Sequence, residues 1–312
     1  MPKTPRIAVL CGGTSLERAV SLRSGTRVTN TLNDLQYDVT QIDVGGDLVA
    51  TLRDGAFDAA FIALHGAAGE DGTVQSLLEL LALPYTGPDA LASTLAWNKP
   101  TAQGLFQRHG LNVPRHVSLS QLAFRELGAS AALSHIVDTL GASLVVKPAR
   151  GGSSIGLTLL ERAEELPAAI MSAFSCADVV LIEQRIAGTE IAITVLDGTP
   201  LPAVEIQPKR GDYDFSARYT AGATEFHAPA RLPDDIQQAC ALAASRAYAA
   251  VGARHISRVD VIVDSHGTPH VIELDTCPGL TQTSLAPLAA EAAGMTFADL
   301  CTELVSFALR DA

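Results

Sequence analysis

The chain predicts an α/β fold built from two or three packed units, and three observations predict it. Short apolar runs alternate with stretches of helical spacing, the sign of a parallel sheet whose crossovers are helices. At 312 residues the chain is longer than one small core needs. Aromatic residues make up only 5% of it, so the cores must be assembled mainly from Ala, Val, Leu and Ile.

Taken in order, residues 7–10 form a buried strand that stops at Gly12-Gly13, and a helix through Val20 and Leu22 follows. Residues 57–64 form the next strand and end at His65-Gly66. Val74, Leu77, Leu78 and Leu81 then recur at helical spacing, and the 84–88 segment closes a first unit, residues 1–95. A second unit, 96–186, holds a helix over 101–109, a strand over 144–147, a glycine–serine loop and a strand over 179–183. The third, 187–312, holds strands over 191–196 and 203–206, a polar loop over 209–224 and a helix over 234–251. Strands over 258–263 and 270–273 and an Ala-rich helix over 286–293 complete it.

Composition removes several function classes. A net charge of −12 opposes nucleic-acid or anionic-membrane surfaces, which need clustered Lys and Arg. No stretch reaches the ~20 apolar residues of a membrane span. The apolar run after Arg6 is short and ends in glycines, so it reads as a strand and not a signal peptide. Five scattered cysteines give neither a metal spacing nor a disulfide framework, and a reduced cytoplasm is expected.

Several stretches carry chemistry. In Lys147-Pro148-Ala149-Arg150-Gly151-Gly152-Ser153-Ser154 a strand delivers a lysine into a flexible loop. Glycines let backbone N–H groups approach an anion and hydroxyls add donors, so the loop reads as a phosphate cradle or as an ordinary surface turn. It is not the G-x-x-x-x-G-K-[ST] loop, because the lysine precedes the glycines. Arg258 and Asp260 lie two apart and share one face of a strand, as do Glu273 and Asp275 on the next. If those faces meet, three carboxylates and one arginine converge, hard ligands suited to Mg²⁺. A solvated strand face gives the same alternation. Ser284 before the 286–293 helix is either an N-cap or part of a carboxylate site at a helix start. Glu17 and His65 sit just past the carboxyl ends of the first two strands, the edge where open α/β sheets bind ligands. A histidine there is more often structural than catalytic.

Read together, these segments resemble the D-alanine–D-alanine ligases of the ATP-grasp superfamily. The matching pieces are Gly12-Gly13-Thr14-Ser15 with Glu17-Arg18, Leu64-His65-Gly66 with Gly69-Glu70-Asp71-Gly72, and Lys147-Pro148 with Gly152-Ser153-Ser154. Tyr213-Asp214 with Ala217 and Tyr219, Arg258-Val259-Asp260, and Glu273, Thr276, Pro278-Gly279, Thr281 and Ser284-Leu285 complete them. The resemblance spans residues 6 to about 310 and implies an ATP-grasp fold with an N-terminal parallel α/β (pre-ATP-grasp) domain. On it, 1–95 binds substrate, 96–186 is the central subdomain, and 187–312 carries the metal and D-alanine sites. ATP lies between the last two.

The resemblance also implies roles. Lys99 and Lys147 would contact ATP, the loop with Ser154 would fold over the triphosphate, and Glu183 and Glu190 would hold adenine and ribose. Ile186 and Arg218 would complete the nucleotide site. Asp260, Glu273 and Asp275 would bind two Mg²⁺ ions, or Mn²⁺ in their place. Glu17 would receive the first D-alanine's ammonium, with Ser153 and Tyr219 linking it to a lid over 209–224. Arg258 and the Gly279 N–H would stabilise the oxyanion. His65 would line the substrate site, and Ser284 and Leu285 would place the second D-alanine's carboxylate. A homodimer is implied as well.

Some positions depart from the family pattern. Asp275 stands for the usual Asn, Arg218 for Lys, Ala19 and Gly151 for Glu, and Gln184 for Lys. Asn98, Ser257 and Leu280 replace Asp, Gly and Met. They point to a divergent member, so a sister ligase using D-serine, D-lactate or another acceptor is the rival reading. Tyr219 favours an amine acceptor. A catalytically silent nucleotide binder would have no need of Glu17, Ser153, Tyr219, Arg258 and the metal carboxylates together.

Overall fold

The computed structural model describes residues 4–213, 217, 218, 220 and 222–311. It contains three sheets. The first is parallel, in the order β2-β1-β3, from β1 (Arg6–Cys11), β2 (Asp38–Asp43) and β3 (Ala59–Ile62). Both faces of β1 are buried: Ile7, Val9 and Cys11 enter one core, Ala8 and Leu10 another. That two-sided burial is why residues 7–10 read as an unbroken apolar run. The sequence reading missed β2, whose Asp-Val-Thr-Gln-Ile-Asp buries only Ile42. It also expected 57–64 as one strand, whereas the ladder covers Ala59–Ile62 and the chain then leaves the sheet toward His65.

The helix Arg18–Asp34 lies on this sheet through Ser21, Ser24, Gly25, Val28 and Leu32. A side chain at Gly25 would come within 2.6 Å of Cys11 Sγ, so the close approach needs glycine. On the same core sits the last helix, Phe297–Arg310, started by a capping box between Thr296 and Asp299. Its Leu300, Cys301, Leu304 and Val305 pack with Ile7, Val9 and Phe61, so the C-terminal end of the expected third unit covers the first sheet.

The second sheet is antiparallel, in the order β4-β7-β5-β6: β4 (His116–Ser120), β5 (Leu144–Pro148), β6 (Thr158–Leu160) and β7 (Val179–Gln184). The helices Leu133–Leu140 and Leu166–Phe174 bury one face against Leu144, Val146, Val180 and Ile182. The third sheet comprises β8 (Gly188–Leu196), β9 (Thr199–Pro200), β10 (Val204–Pro208), β11 (Thr224–His227), β12 (Ile256–Asp264) and β13 (Pro269–Asp275). Its order is β11-β10-β8-β12-β13, with β9 on β8, and all pairs are antiparallel. The helix Asp234–Val251 matches its expected bounds and packs against this sheet.

The helix expected over 101–109 runs Lys99–Arg108, started by the Asn98 side chain accepting from Thr101 N–H. Although expected in the second unit, it buries Phe106 in the core of the third sheet with Val259 and Val261. Among the described residues no single helix is long and apolar enough to cross a membrane. The expected lid falls partly on residues 214–216, 219 and 221; Tyr219 therefore lies outside the described residues.

Candidate active site

Two cavities meet where the sheets converge. The larger holds about 740 Å³ between the second and third sheets, and the smaller about 130 Å³ where the first sheet's loops join them. Their walls share Lys99, Gly151, Gly152, Tyr213, Arg218 and Glu273, so they form one continuous site.

In the larger cleft, strand alternation turns Lys147 and Glu183 away from the core face occupied by Val146 and Ile182. Lys147 Nζ lies 2.7 Å from Glu183 Oε2, and both side chains are almost wholly buried. Gln103 Nε2 donates to the other Glu183 oxygen. Lys99, at the start of its helix, donates to Gly151 O at 2.5 Å and pairs with Glu273 at 3.1 Å. Ile186 lines the same cleft, as does Glu190, whose carboxyl burial pushes up to about 7 against the opposing charge of Arg218. Arg218 Nε donates to Ser154 Oγ at 3.2 Å while its guanidinium lies 4.2 Å from the Tyr213 ring centre. Ser153 and Ser154 both adopt left-handed backbone, with φ of 53° and 57°. Such residues cost about 1 kcal/mol or more each and persist where the surroundings impose them.

In the smaller pocket Glu17 is buried, and Ser153 Oγ donates to its Oε1 at 2.9 Å. Two glycines make room: a side chain at Gly66 would lie 1.9 Å from one Glu17 oxygen, and one at Gly152 would lie 2.5 Å from the other. Burial, reinforced by Asp275 and Glu273, raises the Glu17 carboxyl, while Ser153 and Lys99 act against it. Glu70, given no role from the sequence, lines this pocket and accepts from Gly66 N–H at 2.7 Å.

The convergence expected of β12 and β13 is present, since Arg258 faces Asp275 and Asp260 faces Glu273 across the ladder. Arg258 grips Asp260 through two bonds of 2.7 and 2.9 Å and Asp275 at 2.9 Å. Burial opposes the guanidinium's charge, but these carboxylates outweigh it and hold its pKa well above the ordinary value. Burial likewise opposes ionisation of Glu273, yet Lys99, Lys147, Arg218 and Arg258 hold it down to about 2. Asp275 Oδ1 accepts from Cys277 N–H at 2.9 Å, so both of its oxygens are engaged. Among the described residues no three His, Cys, Asp or Glu side chains are gathered closely enough to hold a metal alone.

His65 lines the pocket with neither ring nitrogen free. Nδ1 donates to Cys277 O at 3.0 Å, leaving Nε2 to accept from Ser24 Oγ at 2.8 Å. Burial lowers its pKa to about 4, so the ring is neutral. Ser284 occupies the N-cap position of the helix Leu285–Ala292 without capping it. Its Oγ instead accepts from Thr281 N–H at 3.0 Å and lies 2.8 Å from Thr281 Oγ1. A side chain at Gly279 would lie 2.8 Å from that Ser284 oxygen, which packs Gly279 beside Ser284. All the expected site residues except Tyr219 thus border the joined cavities or contact residues that do. Sequence reasoning missed Gln103, Ser24 and Arg27, whose partners are 41 to more than 250 residues away in sequence and leave no local pattern.

Two family models match the chain: "D-ala D-ala ligase N-terminus" over residues 49–88 and "D-ala D-ala ligase C-terminus" over residues 105–306. The chain is 44% identical to a D-alanine--D-alanine ligase of Syntrophotalea carbinolica over 302 residues, 96% of this chain and 95% of that one. It superposes on the D-alanine--D-alanine ligase from Bacillus anthracis complexed with ATP with a TM-score of 0.82 and 30% identity, covering 99% and 98% of the two chains. The VanG D-Ala:D-Ser ligase from Enterococcus faecalis is similar at a TM-score of 0.84 and 29% identity, covering 98% and 99%.

Proposed function

Because the chain belongs to the D-alanine–D-alanine ligase family, we propose that its two joined cavities divide the work of one ATP-driven amide synthesis. The chain is an ATP-dependent ligase that joins two D-alanines into D-alanyl-D-alanine, a peptidoglycan precursor. The observation that supports the division is the shared wall through Lys99, Gly151, Gly152, Arg218 and Glu273. A γ-phosphate at that seam reaches a carboxylate in the small pocket without crossing open water.

The large cleft takes ATP. Glu183 and Glu190 hold adenine and ribose beside Ile186, and Lys99, Lys147, Arg218 and the 152–154 loop take the phosphates. Mg²⁺ fits the seam by donor chemistry. Asp260 and Glu273 offer hard oxygens across one ladder rung. Each is now paired with a cationic side chain, so phosphate and water oxygens must complete any coordination shell. Asp260, Glu273 and Asp275 would hold two ions, which when bound neutralise charge on the transferring phosphoryl group.

Glu17 holds the first D-alanine's ammonium, leaving its carboxylate to attack the γ-phosphate, which breaks the bond to ADP and forms an acyl phosphate. Ser284 and the Leu285 N–H hold the second D-alanine's carboxylate. Its deprotonated amine attacks the acyl carbon, phosphate departs, and Arg258 with the Gly279 N–H stabilises the oxyanion. Removing one such donor typically raises the barrier by roughly 3–4 kcal/mol. Ser153, and Tyr219 with it, close Glu17 off so that water does not destroy the intermediate. The enzyme is placed in the cytoplasm as a homodimer.

The test is phosphate release from Mg-ATP with single amino acids and pairs, with products identified by mass spectrometry. D-Alanine alone is expected to give the dipeptide, and L-alanine none. Release only with a different acceptor would move the chain to the sister ligases.

A further inference from the structure

Between Cys277 and Ser284 the chain carries the atoms that meet the acceptor amino acid, and the helix Arg18–Asp34 holds it from one side. Ser24 Oγ accepts from Leu280 N–H at 3.2 Å. One turn further, Arg27 Nη1 donates to Leu280 O at 3.0 Å and to Thr281 O at 2.7 Å. The same Thr281 carbonyl accepts from Ser284 N–H at 3.2 Å. A single carbonyl oxygen therefore joins the Arg27 guanidinium to the backbone of Ser284. Arg27 is itself fixed, its guanidinium lying 3.6 Å from the centre of the Phe297 ring.

Resting on the reading that Ser284 and Leu285 take the second D-alanine's carboxylate, we infer that Arg27 is a positioning residue for the acceptor, acting through the Thr281 carbonyl. Three features carry this. Through Nη1, Arg27 binds two successive carbonyls, charge-assisted bonds that hold this stretch of backbone in place. The Phe297 ring, its centre 3.6 Å from the guanidinium, holds Arg27 in place against that loop. Arg27 is absent from the walls of both joined cavities and lines a third, which shares Thr281 and Thr283 with the small one, so it meets the small pocket at the loop it holds.

The test measures separate Michaelis constants for donor D-alanine, acceptor D-alanine and ATP, with thermal midpoints, in Arg27→Met, Arg27→Lys and Ser284→Ala. Arg27→Met is expected to raise the acceptor constant about tenfold, the scale of a lost charge-assisted hydrogen bond. The donor and ATP constants should stay within about twofold. Arg27→Lys should recover part of the loss, since an ammonium keeps the charge and the donors but does not stack flat on Phe297. A lowered thermal midpoint with an unmoved acceptor constant would make Arg27 merely structural and overturn the inference. If Ser284→Ala leaves the acceptor constant unchanged, the acceptor-site reading fails; if it raises that constant while Arg27→Met does not, only the inference about Arg27 fails. Should Arg27→Met not fold, Phe297→Leu removes the stacking face alone, and an unchanged acceptor constant there would count equally against it.

Discussion

In the large cleft, and on the wall it shares with the small pocket, the charged groups are long side chains that already have partners: Lys147 with Glu183, Lys99 with Glu273, Arg218 over Tyr213. In the small pocket they are wedged. Glu17 sits between two glycines that leave no room for a methyl group, and Arg258 is gripped by Asp260 and Asp275. On the proposed division of the site, the contrast follows from what each holds. A nucleotide is large and strongly anionic, so its site needs cations that can exchange a carboxylate for a phosphate. An amino acid with a methyl side chain offers little to grip, so its site discriminates by fixed distances.

The sharpest way to break this contrast is Arg258→Met. It leaves Asp260 and Asp275 buried side by side, and kcat is expected to fall about 10³-fold with the ATP constant far less affected. Pre-steady-state phosphate release checks it; a loss confined to ATP affinity would place Arg258 with the cleft. Lys147→Met tests the other side. It strands Glu183, so an unfolding free energy lower by about 3 kcal/mol or more is expected in denaturant melts, together with a weaker ATP constant. An unchanged ATP constant would remove Lys147 from the nucleotide site.

Gly152→Ala sharpens the boundary, because a side chain there meets Glu17 at 2.5 Å. The kcat/KM for D-alanine should drop about tenfold while the fold survives. The smallest effect is expected from Glu190→Gln without ATP. The native carboxyl titrates near 7 against 4.5 as its ordinary value, so folding takes up a proton in between. Its contribution to stability is therefore full below about pH 4.5 and lost as the pH rises through 7. Thermal midpoints measured across that window should show a shallower decline in the variant; identical slopes would refute the proton uptake.

Much of this architecture was legible in the sequence because local periodicity set it. The two-residue repeat put Arg258 with Asp260, and Glu273 with Asp275, on one face of each strand, and the β12–β13 ladder sets those residues opposite one another. The helix Asp234–Val251 declared itself by its own pattern. β2 did not, because an edge strand that buries only Ile42 has no apolar signature. The pairing of Arg258 with Asp275 was also hidden: an arginine among carboxylates reads equally as ligand-facing or as their counter-ion, and only geometry separates the two. Long-range ties such as Arg27 to Thr281 leave no trace along the chain at all.

The helix Arg18–Asp34 begins immediately after Glu17 and, ten residues on, holds the acceptor loop through Arg27. At about 1.5 Å of rise per residue, a rod of roughly 15 Å separates Glu17 from the residue that tethers the 280–284 loop. If Glu17 takes the donor and the 280–284 loop the acceptor, as proposed, one helix ties the two choices together at its opposite ends, and a substitution at either end is expected to alter one without the other.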